Sequence, residues 1–191
     1  MRMKIGNAFL ELLRDNSYEE ITVQDIAKKA GIHRSSFYVY YFNKESLYAL
    51  LVENILYDLE KAISPKKTVE FKEIVYLYKK NEHVMIEATL FLQHILIHRH
   101  AYEVLLKDFK FQQQFAEVIS KEILKGEILP KAMTNHLAYG AIGLVCEWLD
   151  NPTLYTIEEL SMYLTQMNVF ALIKYKEKPQ LLRVVQNTNS L

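Results

Sequence analysis

Apolar residues recur along this chain at three- and four-residue intervals, the signature of helices that bury one face. Ile5, Phe9, Leu12 and Leu13 share a face over residues 5–14, and Asp15-Asn16-Ser17 ends the segment. Thr22-Val-Gln-Asp25 is a capping box: the threonine hydroxyl can accept from the amide at Asp25, and the aspartate can return the bond. The helix it opens turns Val23, Ile26, Ala27 and Ala30 inward and stops at Gly31, which tolerates a left-handed backbone. A short third helix is predicted from about His33 to Tyr41, with Ile32, Phe37 and Tyr41 as core contacts. Asn43 caps a fourth, carrying Leu47, Leu50, Leu51, Ile55, Leu56 and Leu59 to about Ile63.

The pattern stays helical beyond this point, over residues 69–80, 82–98, 101–107, 109–125, 131–149 and 157–174. Pro130 and Asp150-Asn151-Pro152 break it, and Thr156-Ile-Glu-Glu159 forms a second capping box. Ser64-Pro65-Lys66-Lys67 reads as a linker, which divides the chain into residues 1–63, a larger unit at 68–175 and a polar tail at 176–191. There is no internal repeat. The fold class expected is all-α.

Composition supports that reading. Five glycines and four prolines leave few turns for hairpins, and half the residues are hydrophobic, enough for a real core. The single cysteine excludes an internal disulfide and fits a reducing cytosol; Cys146, on an apolar helix face, reads as a small buried side chain. The N-terminus lacks the unbroken apolar run of a signal peptide, and no apolar stretch is long enough to span a bilayer. A soluble cytoplasmic protein with no membrane partner is expected. The 23 basic and 23 acidic residues cancel, which argues against wholesale coating of nucleic acid but leaves room for a local basic surface.

Such a surface lies at residues 22–42, where helix, glycine turn and short helix form the arrangement that lays a second helix in the DNA major groove. Arg34 can pair bidentately with guanine or clamp a phosphate. Ser35 and Ser36 are short donors near the helix start. Tyr38 and Tyr40 can reach backbone oxygens with their hydroxyls. Lys28, Lys29 and Lys44 flank the motif, whose acids are Asp25 and Glu45. The pattern by itself also fits a purely structural helical hairpin.

The residue string is more particular. Thr22, Asp25-Ile-Ala, Ala30-Gly-Ile, Arg34-Ser-Ser-Phe-Tyr, an aromatic closing the helix and Lys44-Glu-x-Leu47 together resemble the N-terminal domain of the tetracycline-repressor (TetR) family, over about residues 4–60. The resemblance implies a three-helix DNA-binding head, a connecting fourth helix, and an all-helical body that dimerises and binds a small effector. Carried over by position, it implies that Thr22 touches a phosphate and that His33, Arg34, Ser35, Ser36 and Val39 face base edges. Tyr38, Tyr40 and Lys44 would hold the DNA backbone, with Lys28 beside them.

In the body, Gly140, Ala141, Leu144 and Trp148 share one face with Leu137 and Val145, while Leu160, Leu164 and Met167 repeat on the last helix. These helices could complete the chain's own core or form a four-helix bundle with a second copy; the resemblance implies the homodimer. Segment 69–125 is rich in aromatic residues, among them Phe71, Tyr76 and Phe109, and an effector pocket lined by Tyr78, Phe91, His94, His98, Tyr102 and Phe115 is expected, against plain core packing. His94 and His98 stand one turn apart, but no cysteine or acid completes a metal set, and no cofactor is expected. No catalytic constellation is evident, so an enzyme is not expected. The function expected is a repressor of double-stranded operator DNA with a palindromic site, released by a small apolar or aromatic effector. The alternative partner for the same architecture is another protein.

Overall fold

The computed structural model describes residues 1–64, 71–81, 84–123 and 129–177, and every regular element among them is a helix. In chain order these are α1 (Arg2–Asp15), α2 (Val23–Lys29), α3 (Arg34–Tyr38), α4 (Lys44–Ile63), α5 (Phe71–Asn81), α6 (Ile86–Ile97), α7 (Arg99–Leu105), α8 (Phe109–Ile123), α9 (Lys131–Asp150) and α10 (Ile157–Glu177). The linker at 65–67, the residues 69–70, 82–83 and 124–125 at three predicted helix ends, and the tail past 177 lie outside the described residues. Several boundaries differ from expectation: α6 begins at Ile86, after the non-helical 84–85, α7 spans Arg99–Leu105 in place of 101–107, and α10 runs on to Glu177. α1 starts at Arg2, and α3 is one short turn, with Val39 its C-cap and Tyr40 beyond it.

Local chemistry explains the head's first turns. Thr22 and Asp25 form the reciprocal cap of α2, with Thr22 Oγ1 accepting from the Asp25 amide at 3.2 Å and Asp25 Oδ2 accepting from the Thr22 amide at 2.9 Å. Gly31 sits at φ 59, and the amides of Gly31 and Ile32 donate back to the carbonyls of Lys28 and Ala27, which closes α2 as a Schellman turn. Asn43 and Ser46 make a second reciprocal cap, at the start of α4.

Two apolar clusters build the molecule. Ile5, Phe9, Ile26, Phe37, Tyr41 and Leu47 belong to the core of the head, and Val52, Ile55, Leu59 and Ile63 to the core of the body. α4 therefore enters both. Beneath it α1 passes close enough that a Cβ on Gly6 would meet Leu51 Cδ2 at 3.0 Å. In the body α4 packs on α6 and α8, α6 on α10, and α8 on α9, while α7 touches α1 of the head. Leu59 and Ile63 are fully buried, each contributing about 1.5–3 kcal/mol of transfer energy. A polar tie between α4 and the body's α7–α8 turn, Tyr48 Oη donating to Asp108 Oδ2 at 2.6 Å, contributes about 1 kcal/mol and is secondary to that burial.

The body corrects the expected interface. Ala141, Trp148, Leu160 and Leu164 are buried in the chain's own core, so their face of α9 and α10 is already covered. Gly140 and Met167 are exposed, and Leu144 is partly buried against the core. The aromatic residues also divide. Phe91, Tyr102, Phe111 and Phe115 form one stack of contacting rings, while Tyr76 and Phe109 face solvent and Tyr78 sits on α5, the helix packed on α10. No helix among the described residues is long and apolar enough to cross a membrane.

His94 joins the aromatic stack from α6, buried at 6% exposure, with Nδ1 3.2 Å from the Tyr102 hydroxyl and its ring 4.5 Å from that of His98. Burial, helped by the neighbouring His98, pushes its pKa from 6.5 down to about 4, against a smaller opposing pull from Asp58. As pH falls, the unfolded chain takes up this proton first, so stability is lost between about 6.5 and about 4. Urea unfolding across that range should show a shallower pH dependence for His94→Leu than for the wild type. Equal slopes would contradict a neutral buried imidazole.

Candidate nucleic-acid interface

The short helix α3 is anchored by one residue. Phe37 is fully buried and packs its ring on Tyr38 and Tyr41, which fixes the helix on the head and turns its remaining positions outward. His33, Arg34, Ser35 and Val39 are exposed, and Ser36 and Tyr40 are partly buried. The residues expected to face base edges are thus exposed or partly exposed around α3, with the apolar Val39 at 77% exposure. Arg34 is held along the helix by Tyr38: Nη2 donates to the tyrosine hydroxyl at 3.2 Å, and the guanidinium carbon lies 5.7 Å from the ring centroid. Such a pair reduces the rotamer freedom that Arg34 would lose on binding.

The structure divides the expected phosphate contacts. Lys28 is exposed at the end of α2 and available to solvent. Lys29 instead pairs with Glu11 of α1 at 2.9 Å. The Thr22 hydroxyl donates to Asp25 Oδ2 at 2.5 Å, so a phosphate contact from it would have to replace that bond. The same hydrogen bonds, first the Thr22 hydroxyl and then its amide, hold the Asp25 carboxyl below the usual carboxylate range.

Lys44 corrects the expectation more sharply. Its Nζ donates to the carbonyls of Tyr18 at 2.7 Å and Ile21 at 2.8 Å, lies 3.4 Å from that of Glu19, and stands 4.4 Å from the Tyr18 ring centroid. All three donors point into the α1–α2 connection, because the carbonyls there have no helical partner and the ammonium supplies one. Lys44 is a structural clamp within the head.

Two features of this surface are not evident from sequence. Phe42 is 86% exposed directly after the α3 turn, and only the buried positions of Phe37 and Tyr41 show that its neighbour must point out. Lys4 reaches the glycine turn, with Nζ 3.7 Å from where a Cβ on Gly31 would stand, adding a cation from α1. The local charge is thus supplied by Lys4, Lys28 and Arg34 more than by Lys29 and Lys44, which are engaged within the head.

Comparison with known proteins places this surface in context. The model of the bacterial regulatory proteins of the tetR family matches residues 7–51. An uncharacterised HTH-type transcriptional regulator of Bacillus subtilis, YxbF, is 26% identical over 125 residues, 65% of this chain and 31% of its own length. DhaS of Lactococcus lactis, a transcriptional activator of the dhaKLM operon, is 42% identical over 50 residues, 26% of this chain and 27% of that protein. The matched stretch thus spans about a third or less of each of these relatives. Among solved structures, a TetR transcriptional regulator from Streptococcus agalactiae is 26% identical and superposes with a TM-score of 0.60, covering 87% of this chain and 92% of that one.

Replacing Lys44 with methionine should cost about 1–3 kcal/mol in urea unfolding, because partly buried carbonyls lose their donor. Unchanged stability, with only DNA affinity reduced, would return Lys44 to the binding surface.

Proposed function

The chain belongs to the TetR family of bacterial regulatory proteins, and on that premise we propose that it is a homodimeric repressor that reads a palindromic operator with α3 and is released by a small effector. The observation that carries this reading is the exposed row His33, Arg34, Ser35 and Val39 set on the buried Phe37 anchor. Arg34 offers the fork that fits guanine O6 and N7, and Val39 suits the thymine methyl. Lys4 and Lys28 supply phosphate contacts that fix register without reading sequence.

Two such heads bind cooperatively only if a second copy holds them one helical turn of DNA apart, at about 34–36 Å. The exposed sides of α9 and α10 suit that pairing. Tyr163, Met167 and Phe170 recur at three- to four-residue spacing on α10, with Phe170 at 60% and Met167 at 58% exposure. On α9, Tyr139, Gly140 and Gly143 are exposed, and a Cβ at either glycine would meet nothing within 4 Å in the single chain, which leaves space for a partner helix. This face replaces the buried one expected from sequence.

The effector reading rests on α4. A small apolar or aromatic molecule taken into the body core touches the surface against which Val52, Ile55, Leu59 and Ile63 pack, so it can shift α4 and with it the separation of the heads. The sign of regulation is a separate matter from DNA reading, since DhaS, 42% identical over 50 residues, is an activator of the dhaKLM operon. Transcription from an operator-bearing template should fall when the protein is added; a rise would replace the repressor reading with activation.

Operator binding by fluorescence anisotropy should weaken about 10- to 100-fold in Arg34→Ala with thermal stability unchanged. Phe170→Glu should yield monomers in sedimentation and bind more weakly still. Wild-type affinity in Arg34→Ala would remove α3 from the mechanism.

A further inference from the structure

The ring of His94 has one nitrogen accounted for and one not. Nδ1 faces the Tyr102 hydroxyl at 3.2 Å, whereas Nε2 is buried without any hydrogen-bond partner. Hydrogen counting assigns the tautomer. If Nδ1 carried the proton and donated to Tyr102, the buried tyrosine O–H would need an acceptor of its own, and two groups would be left unmet. If Tyr102 donates to Nδ1, the unmet group is the Nε2–H alone. The second arrangement is cheaper by one buried polar group, so Nε2 presents a donor in an apolar core.

The His94 ring meets Tyr102 edge-on, and Tyr102 in turn packs on Phe111 and Phe115, so the donor belongs to a buried aromatic cluster. On the other side His98 lies against His94 and also lines a cleft of about 420 Å³ between α1 and α7, together with Asn7, Leu10, Arg14 and Ala101. The ring beside His94, that of His98, thus borders open space at the seam between head and body. Asp58, whose charge is felt by both His94 and Tyr102, is exposed on α4 and adds negative potential to the site. An anionic head group would be repelled there as well as desolvated. A neutral acceptor meets neither penalty.

We infer that His94 Nε2 is the polar anchor of the effector site, and that the effector is a neutral, apolar or aromatic molecule presenting one hydrogen-bond acceptor such as a ketone, ester or amide oxygen. The inference rests on the reading of the body as an effector-binding core and names the chemistry that core recognises. Binding satisfies the orphaned donor, so an acceptor gains over an apolar isostere both the new bond and the relief of an unmet group. Since the adjoining cleft is walled by α1, a ligand at this point is also placed to bias the head.

Three probes test it by calorimetry at neutral pH on the full chain: acetophenone, α-methylstyrene, in which a CH₂ replaces the ketone oxygen, and benzoate. The wild type should bind acetophenone about tenfold more tightly than α-methylstyrene, and the preference should vanish in His94→Leu. The imidazole ¹⁵N resonances of His94 should shift with acetophenone and not with the alkene. Should His94→Leu fail to fold, the wild-type ratio and those resonances decide. Equal affinities for ketone and alkene would overturn the anchor while leaving an apolar effector core intact. Benzoate binding tightest would overturn the neutral class. If no probe bound although operator binding was normal, the anchor and the effector reading would fall together.

Discussion

One helix belongs to two cores, and most of what this molecule can do follows from that. α4 places Leu47 in the head and Val52, Ile55, Leu59 and Ile63 in the body, all within 20 residues, about 30 Å of continuous helix. A helix of that length bends little, so the head cannot turn relative to the body without repacking one end of α4. Repacking at the body end displaces side chains that each contribute about 1.5–3 kcal/mol of burial, which is the scale of coupling that ligand-driven regulators use. Tyr48, packed against both clusters and bonded to Asp108, marks the point where the two cores meet.

The same economy governs the charged surface. A chain with equal numbers of acids and bases cannot rely on bulk attraction to a polyanion. Here the cations near the motif are sorted by geometry. Lys44 closes the α1–α2 connection, Lys29 pairs with Glu11, and Lys4, Lys28 and Arg34 face outward. With few free cations, the proposed reading of DNA depends on contacts to base edges, and Val39 and Phe42 are apolar groups exposed at this end of the head.

The parts of this architecture that depend on neighbours in sequence were legible in it. Thr22 with Asp25 and Asn43 at the start of α4 signalled helix starts, and Gly31 signalled a stop, because caps and left-handed turns are set within four residues. Periodicity also gave ten helices, since each needs only its own apolar stripe. What it could not give was which neighbour covers a stripe. α9 and α10 are apolar on more than one side, and the side carrying Trp148, Leu160 and Leu164 turned out to face the chain's own core. Lys44 escaped for the same reason: its partners, Tyr18 and Ile21, lie more than 20 positions away. The unmet nitrogen of His94 is likewise a property of packing, which no spacing rule encodes.

The α3 surface is proposed to read DNA from a two-fold assembly. Selection of binding sites from a pool of random duplexes tests it most directly, because it presupposes neither operator nor effector. A two-fold reader should enrich a palindrome whose half-sites are centred about one helical turn, 34–36 Å, apart, with Arg34→Ala relaxing the preference at one position in each half. Enrichment of a single unrepeated half-site, or of no sequence at all, would contradict it.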